Sequence, residues 1–183
     1  MSSPEGSTIT FRRRAPADVR PRALAGFARK LEKTAAQGGA FDCLLTGDAE
    51  LRKLNREWRG QDYATDVLSF PVRADSNRRD AENAEKTRRK AKRKPGDAEG
   101  AKVRWASHPG YLGDLAISLG RARAQAREFG HTTEEEVRIL MLHGVLHLAG
   151  MDHETDGGRM ARAERRWRRA LGLPTGLIER VRP

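Results

Sequence analysis

Cysteine is nearly absent. Cys43 stands alone among 183 residues, so no internal disulfide can form and packing must hold the chain together. That usage suits a reducing compartment, and the cytoplasm is the expected location. Long apolar runs are missing too. The most hydrophobic stretch, residues 139–151, is interrupted by His143 and His147 and falls short of the roughly 20 residues a membrane helix needs. No membrane span is predicted, and the opening MSSPEGSTIT lacks the basic-then-apolar order of an export signal. Aromatic residues make up only 5% while charged residues reach 33%, which places part of the chain outside any packed core. Acidic charge is in deficit: 25 Asp and Glu face 36 Lys and Arg, a net +11 that favours polyanionic partners, nucleic acid first. At this length, one domain spanning residues 1–183 with its own core is the expected organisation.

What is present reads as interspersed strands and helices. Ile9 and Phe11 alternate with polar residues in a short strand over 8–12, and Leu24, Phe27, Ala28, Leu31 and Ala35 recur at helical spacing. Phe41, Cys43 and Leu45 share one face of a second strand, which makes Cys43 a core residue rather than a reactive thiol. Asp48 is positioned to cap a helix whose buried stripe is Leu51, Leu54 and Trp58, with Gly60 ending it and Arg59 at its C-terminal edge. Strands over 65–70 and 112–119 follow, then a helix capped by Ser118 and closed by Gly130. The C-terminal run 159–169 sets Met160, Ala163, Trp167 and Leu171 on one side and arginines on the other, an amphipathic packing helix. The predicted order is βαβαββααα, an α+β or α/β domain with a sheet of about four strands and helices packed on it. Residues 72–110 break the pattern with 12 Lys and Arg, six Asp and Glu and little apolar material, and read as a mobile basic insertion. Its densest part, KTRRKAKRK at 86–94, is either an RNA-phosphate contact or a solubilising loop.

The segment TTEEEVRILMLHGVLHLAGMDHE, residues 132–154, carries the chemistry. Thr133 with Glu136 gives a capping-box pattern, and the glutamates put negative charge in the first turn where the helix dipole favours it. Val137, Leu140, Met141 and Val145 anchor the helix in the core. His143 and His147, four residues apart, project from one side and can share a cation. Gly150 can end the helix in the left-handed conformation, letting the chain return His153 toward the other two. Three imidazoles with a fourth corner open to water make a catalytic rather than a structural zinc site, and the ligand type also admits nickel or iron. Asp152 is a candidate to orient a ligand imidazole or, equally, to stabilise the turn. Asp66 and Asp114 read as capping or turn residues, and His108 and His131 receive no role.

Zinc proteases of the H-E-x-x-H-x-x-G-x-x-H type share this spacing, but they use the Glu after the first His as general base. Here that position is Gly144, which cannot take a proton. HGVLHLAGMDH resembles instead the signature of the bacterial YbeY metallo-endoribonucleases, which act in ribosomal RNA maturation and ribosome quality control. LNREWRG (54–60), TDVLSFP (65–71), LGDLAIS (112–118) and the closing MARAERRWRRALGL agree in order, so the resemblance covers about residues 41 to 173 without the insertion. Relatives are generally much shorter there, so no role for the insertion is inherited.

The resemblance implies an α+β fold and one zinc ion held by His143, His147 and His153. It implies single-stranded RNA as substrate, with ribosomal RNA near the 16S 3′ end and the small ribosomal subunit as partners. It also implies a catalytic role for Arg59, since Asn55 to Gly60 matches the family's N-x-x-x-R-G motif, whose Arg faces the metal cleft and is needed for activity. Without the resemblance Arg59 reads as a solvated cation at a helix end. Two other classes stay open: a metallohydrolase of another substrate such as peptide, and a non-catalytic ribosome assembly factor whose zinc only holds the fold.

Overall fold

Alternation turns Phe41, Cys43 and Leu45 into one face of a strand, β2 (Ala40–Thr46), and all three are at most 1% exposed in the core. The computed structural model describes residues 6–72 and 110–174. Residues 73–109, and with them nearly all of the expected basic insertion, lie outside the described part. The remaining elements are β1 (Thr8–Phe11), α1 (Pro21–Lys33), α2 (Asp48–Arg59), β3 (Val67–Pro71), β4 (Tyr111–Ser118), α3 (Leu119–Phe129), α4 (Thr133–Leu148) and α5 (Arg159–Leu171). Their order is the predicted βαβαββααα. The four strands form one mixed sheet in the order β1-β2-β4-β3. β1, β2 and β4 run parallel, and β3 pairs antiparallel with β4 at the edge, where the terminal Pro71 leaves no interior ladder bond unmade.

The sheet is covered on both faces. On one, Phe41, Cys43, Leu45, Leu115 and Ile117 join Leu24, Ala28 and Leu31 of α1 and Val137, Leu140 and Met141 of α4 in the main core. On the other, Leu51 of α2 meets Leu68 and Ala116. α4 is buried almost all round, as expected of a helix apolar on every side. Each fully buried Leu, Met or Val on it contributes about 1.5–3 kcal/mol by leaving water. This central helix presents the histidines from a rigid position. Burial also holds the Cys43 thiol in its neutral form, in line with a core role.

Three local expectations need correcting. The capping box sits one residue earlier than predicted: Glu135 N–H donates to the Thr132 hydroxyl (3.2 Å) and Thr132 N–H to the Glu135 carboxylate (2.8 Å). The expected pair is diverted into tertiary contacts, Thr133 donating to Asp18 (2.8 Å) and buried Glu136 meeting His131 (2.5 Å). At the start of α2 the cap position belongs to Gly47, and Asp48 instead accepts a hydrogen bond from the Ser118 hydroxyl across the chain. Ser118 also caps α3 as expected, accepting from Arg121 N–H (3.2 Å). The third correction concerns Trp58, which is 61% exposed, because the apolar stripe of α2 ends before the helix does and every residue from Arg56 to Gly60 faces solvent.

Glu134, in the first turn of α4, ties that helix to the start of α1. Its carboxylate accepts from Arg20 N–H (2.9 Å), Nε (3.1 Å) and Nη2 (3.0 Å), and from Arg138 (2.5 Å). The Arg20 guanidinium, more than burial opposes, holds this carboxyl below its ordinary value of 4.5. A carboxyl depressed on folding stabilises the protein above its unfolded value and loses that contribution as pH falls through the folded one. Glu134→Gln should therefore lower the melting temperature at pH 7 and flatten the acid limb of the stability curve below about pH 4.5, read by thermal melts across pH.

Candidate metal centre

α4 ends in a Schellman turn that builds half the site. Gly150 takes φ +81°, Met151 N–H donates to Leu146 C=O (3.1 Å) and Gly150 N–H to His147 C=O (2.9 Å). The turn aims the Met151 carbonyl back at His147, whose Nδ1 lies 3.0 Å away. A carbonyl can only accept, so His147 carries its proton on Nδ1 and keeps the Nε2 lone pair free. His143 is fixed the same way from α5: its Nδ1 lies 3.0 Å from the carboxylate of Glu164, itself 1% exposed. Both Nε2 atoms then face each other at 3.1 Å. Two lone pairs at that distance repel unless a cation lies between them.

His153 completes the group. Asp152 accepts from Glu154 N–H (3.1 Å) and the Thr155 hydroxyl (2.9 Å), closing a turn that holds His153 up to the other rings. Of its two candidate roles, the turn is the one these bonds support. The His153 ring centroid is 5.3 Å from each of its partners, and one ring nitrogen from each histidine lies within 4.8 Å of the others. His143 is buried, His147 half-buried and His153 exposed, so the group opens to solvent on one side. Burial first, then the charge His143 and His153 would bear, pushes His147 down to about 4, which keeps it neutral and able to donate its lone pair near pH 7. The donor set, fixed tautomers and open side fit a metal ion.

Arg59 is not bonded to these rings. It is the exposed last residue of α2, before Gly60 at φ +70°, and makes no ion pair or hydrogen bond with another described residue. Arg52 and Arg56, on the same helix face, are engaged by Asp62, bidentately for Arg52 (2.9 Å twice) and at 3.6 Å for Arg56. Of the three arginines along that face, Arg59 is the one that no described residue compensates. Asp66 takes a local role, accepting from its neighbour's Val67 N–H (2.8 Å) and from Gln125 (3.0 Å). Asp114 accepts from the Tyr111 hydroxyl (2.8 Å), and burial raises its pKa.

A family profile described as Endoribonuclease YbeY matches residues 15–172. The chain is a member of the endoribonuclease YbeY family. By that membership it is an endoribonuclease, a hydrolase of RNA. Relatives with the same description include a protein of Solibacter usitatus, 59% identical over 99% of both chains. Another, from Koribacter versatilis, is 40% identical over 90% of this chain and 86% of its own. A solution structure of a Thermotoga maritima protein, 22% identical, aligns over 90% of this chain and 89% of its own with a TM-score of 0.50, which bears on the fold alone.

The structure also gives this YbeY chain a reason for Gly144. A Cβ there would lie 2.6 Å from Leu115 Cδ2 and 3.3 Å from the Ser69 hydroxyl, so the residue after the first histidine is pressed onto the sheet. Ser69 in turn donates to the Gly144 carbonyl at 3.3 Å. A protease-type glutamate has no room in that packing. Sequence reasoning missed Glu164, whose signal was legible: it is the one acid in a helix of six arginines, and it interrupts the apolar stripe between Met160 and Trp167. Two outcomes check these assignments. Gly144→Ala should overpack the helix–sheet contact and cost about 1–3 kcal/mol in denaturant unfolding. Glu164→Ala should weaken metal affinity roughly 10–100-fold in a competition titration against a chromogenic chelator, because the imidazole loses the partner that orients it.

Proposed function

We propose that this chain is a zinc-dependent, single-strand-specific endoribonuclease of ribosomal RNA maturation, acting near the 16S 3′ end and in ribosome quality control, with the small ribosomal subunit as its partner. The observation that carries the metal-dependent reading is the facing of the two Nε2 atoms at 3.1 Å, with an acceptor at each opposite Nδ1. Nitrogens sharing one tetrahedral zinc at 2.0–2.1 Å stand about 3.3–3.4 Å apart, close to that separation. His143, His147 and His153 would hold the ion. An all-nitrogen donor set favours zinc and also accommodates nickel. When bound, the ion supplies Lewis acidity, which lowers the pKa of a water to about 7 or polarises a phosphoryl oxygen.

The chain's own groups do the rest. Arg59 grips two phosphoryl oxygens and offsets the extra negative charge that develops as the fifth oxygen approaches phosphorus. A guanidinium suits this task because it stays charged at any working pH and its fork matches the phosphate geometry. Its lack of a carboxylate partner among the described residues leaves it available to an incoming anion. The Met151 carbonyl and Glu164 keep both imidazoles in the tautomer that binds a cation, so no proton must leave before the site is ready. The net charge of +11 draws RNA to the protein by long-range attraction, which weakens as salt rises. Peptide hydrolysis would need a carboxylate base where Gly144 packs on Leu115.

The test pairs elemental analysis with cleavage of a single-stranded RNA, using casein as the control substrate. Protein with one zinc per chain should cut the RNA, leave casein intact and lose activity on chelation. Arg59→Ala should retain its zinc and fold while kcat falls about 10²–10³-fold, the usual loss when one donor to transition-state charge is removed. His147→Ala should lose both metal and cleavage. Full activity of Arg59→Glu would remove Arg59 from the site, and cleavage untouched by exhaustive chelation would overturn the metal-dependent reading.

A further inference from the structure

Among the described residues, the exposed large hydrophobic side chains are Trp58, Tyr63 and Phe129, and the first two belong to the end of α2 and the loop after it. Trp58 is in the last turn of α2 and 61% exposed; Tyr63 is in the loop that follows and 57% exposed. Buried Asn55 pins that loop to the helix by donating to the Tyr63 carbonyl at 3.0 Å. Trp58 is held too. Its ring meets Phe70 edge-to-face, centroids 5.7 Å apart and planes at 68°, an arrangement that leaves ring surface in solvent. Arg59 follows Trp58 at the end of the helix, whereas Arg52 and Arg56 are engaged by Asp62 and Lys53 lies 4.0 Å from Glu57. Phe70 faces the α2 side of β3 and its neighbour Ser69 the α4 side, where the Ser69 hydroxyl binds the carbonyl of Gly144 next to His143, so the edge strand stands between the platform and the helix that bears the histidines.

A rigid aromatic surface interleaved with guanidinium groups is how proteins take up single-stranded nucleic acid, with phosphates on the cations and bases stacked on the rings. Water is a poor partner for an exposed indole. A base offers both faces of a π-system, and the neighbouring positive charge selects a polyanion over a neutral apolar partner. We propose that Trp58 is a stacking platform for an unpaired base of the RNA substrate, placed beside Arg59 so that a phosphate adjoining the stacked base meets that guanidinium. The proposal rests on the single-stranded RNA reading above. It assigns substrate selection to this end of α2: a base locked in a duplex cannot lie on the indole without unpairing, whereas an unpaired one can.

The experiment compares a ten-nucleotide single-stranded RNA with an abasic ribose-phosphate chain of the same length, which keeps the charges and removes the bases. Trp58→Ala should bind the RNA about tenfold or more weakly, the loss expected for one stacked base, and bind the abasic chain as the wild type does. Trp58→Phe should keep most of the RNA affinity. In stopped-flow fluorescence recorded before turnover, the wild type should be quenched on mixing with the RNA, and Trp58→Phe should lose Trp58's share of that quench, leaving at most the share of Trp105 and Trp167. Should Trp58→Ala melt early, the Phe variant and the quench still decide the matter. Equal loss of affinity for both chains, or a quench of undiminished size without Trp58, overturns the stacking assignment. Wild-type cleavage is scored separately in the same series, so an absence of RNA hydrolysis would count against the functional reading and leave the quench to judge Trp58.

Discussion

Two hydrogen bonds to the far side of two imidazoles set the chemistry of this protein. The Met151 carbonyl and the Glu164 carboxylate each accept from an Nδ1 3.0 Å away, and the lone pairs of His143 and His147 are thereby turned on one another. That arrangement is costly for a bare protein and favourable for one with a cation between the rings. The two acceptors come from different sources. One is the Schellman turn that ends α4; the other is the middle of α5, brought across the buried side of His143. The site is therefore not a property of the α4 motif alone, since it requires the turn geometry at Gly150 and the docking of α5 on the core.

The same helix is constrained from behind. Gly144 lets α4 approach Leu115 and Ser69 more closely than any side chain would permit, so the glycine belongs to the packing of helix on sheet. The residue that separates this motif from the zinc-protease motif thus has a structural cause as well as a chemical consequence. With α4 pressed to the sheet on the Gly144 side and bonded to α5 on the His143 side, its histidines have little freedom. A metal site gains from that rigidity, because the donors need no reorganisation to receive the ion.

Much of this was legible in the chain itself. The period-two alternation at Phe41, Cys43 and Leu45, the element order, the Ser118 cap and the Gly150 turn followed from local rules that the tertiary structure obeys. The three-histidine group was legible because α4 and the turn after it contain all the donors, so no long-range contact had to be guessed. What failed depended on such contacts. Thr133 and Glu136 form a good capping box on paper, yet Asp18 and His131 claim them and the box shifts to Thr132 and Glu135. Asp48 looked like a cap and serves Ser118 across the sheet. Helical periodicity placed Trp58 with Leu51 and Leu54, but periodicity reports which face a residue occupies and says nothing of where the sheet beneath that face stops.

Trp58 and Glu164 break a local rule in opposite directions, one an indole in solvent and the other a carboxylate in the core. Natural chains tolerate such violations where something compensates, and the compensation is informative. For Glu164 it is the bond to His143, so the buried acid is accounted for by the imidazole it orients. For Trp58 the contact is the edge-to-face packing with Phe70, and the ring still stays 61% exposed. Surface exposure of a single aromatic means little by itself. Its place next to Arg59, which no described residue compensates, is what makes the exposure point outward to a ligand. A flexible, singly placed indole would have carried no such implication, whereas one held on a neighbouring ring is already ordered for stacking and loses little entropy when a base arrives.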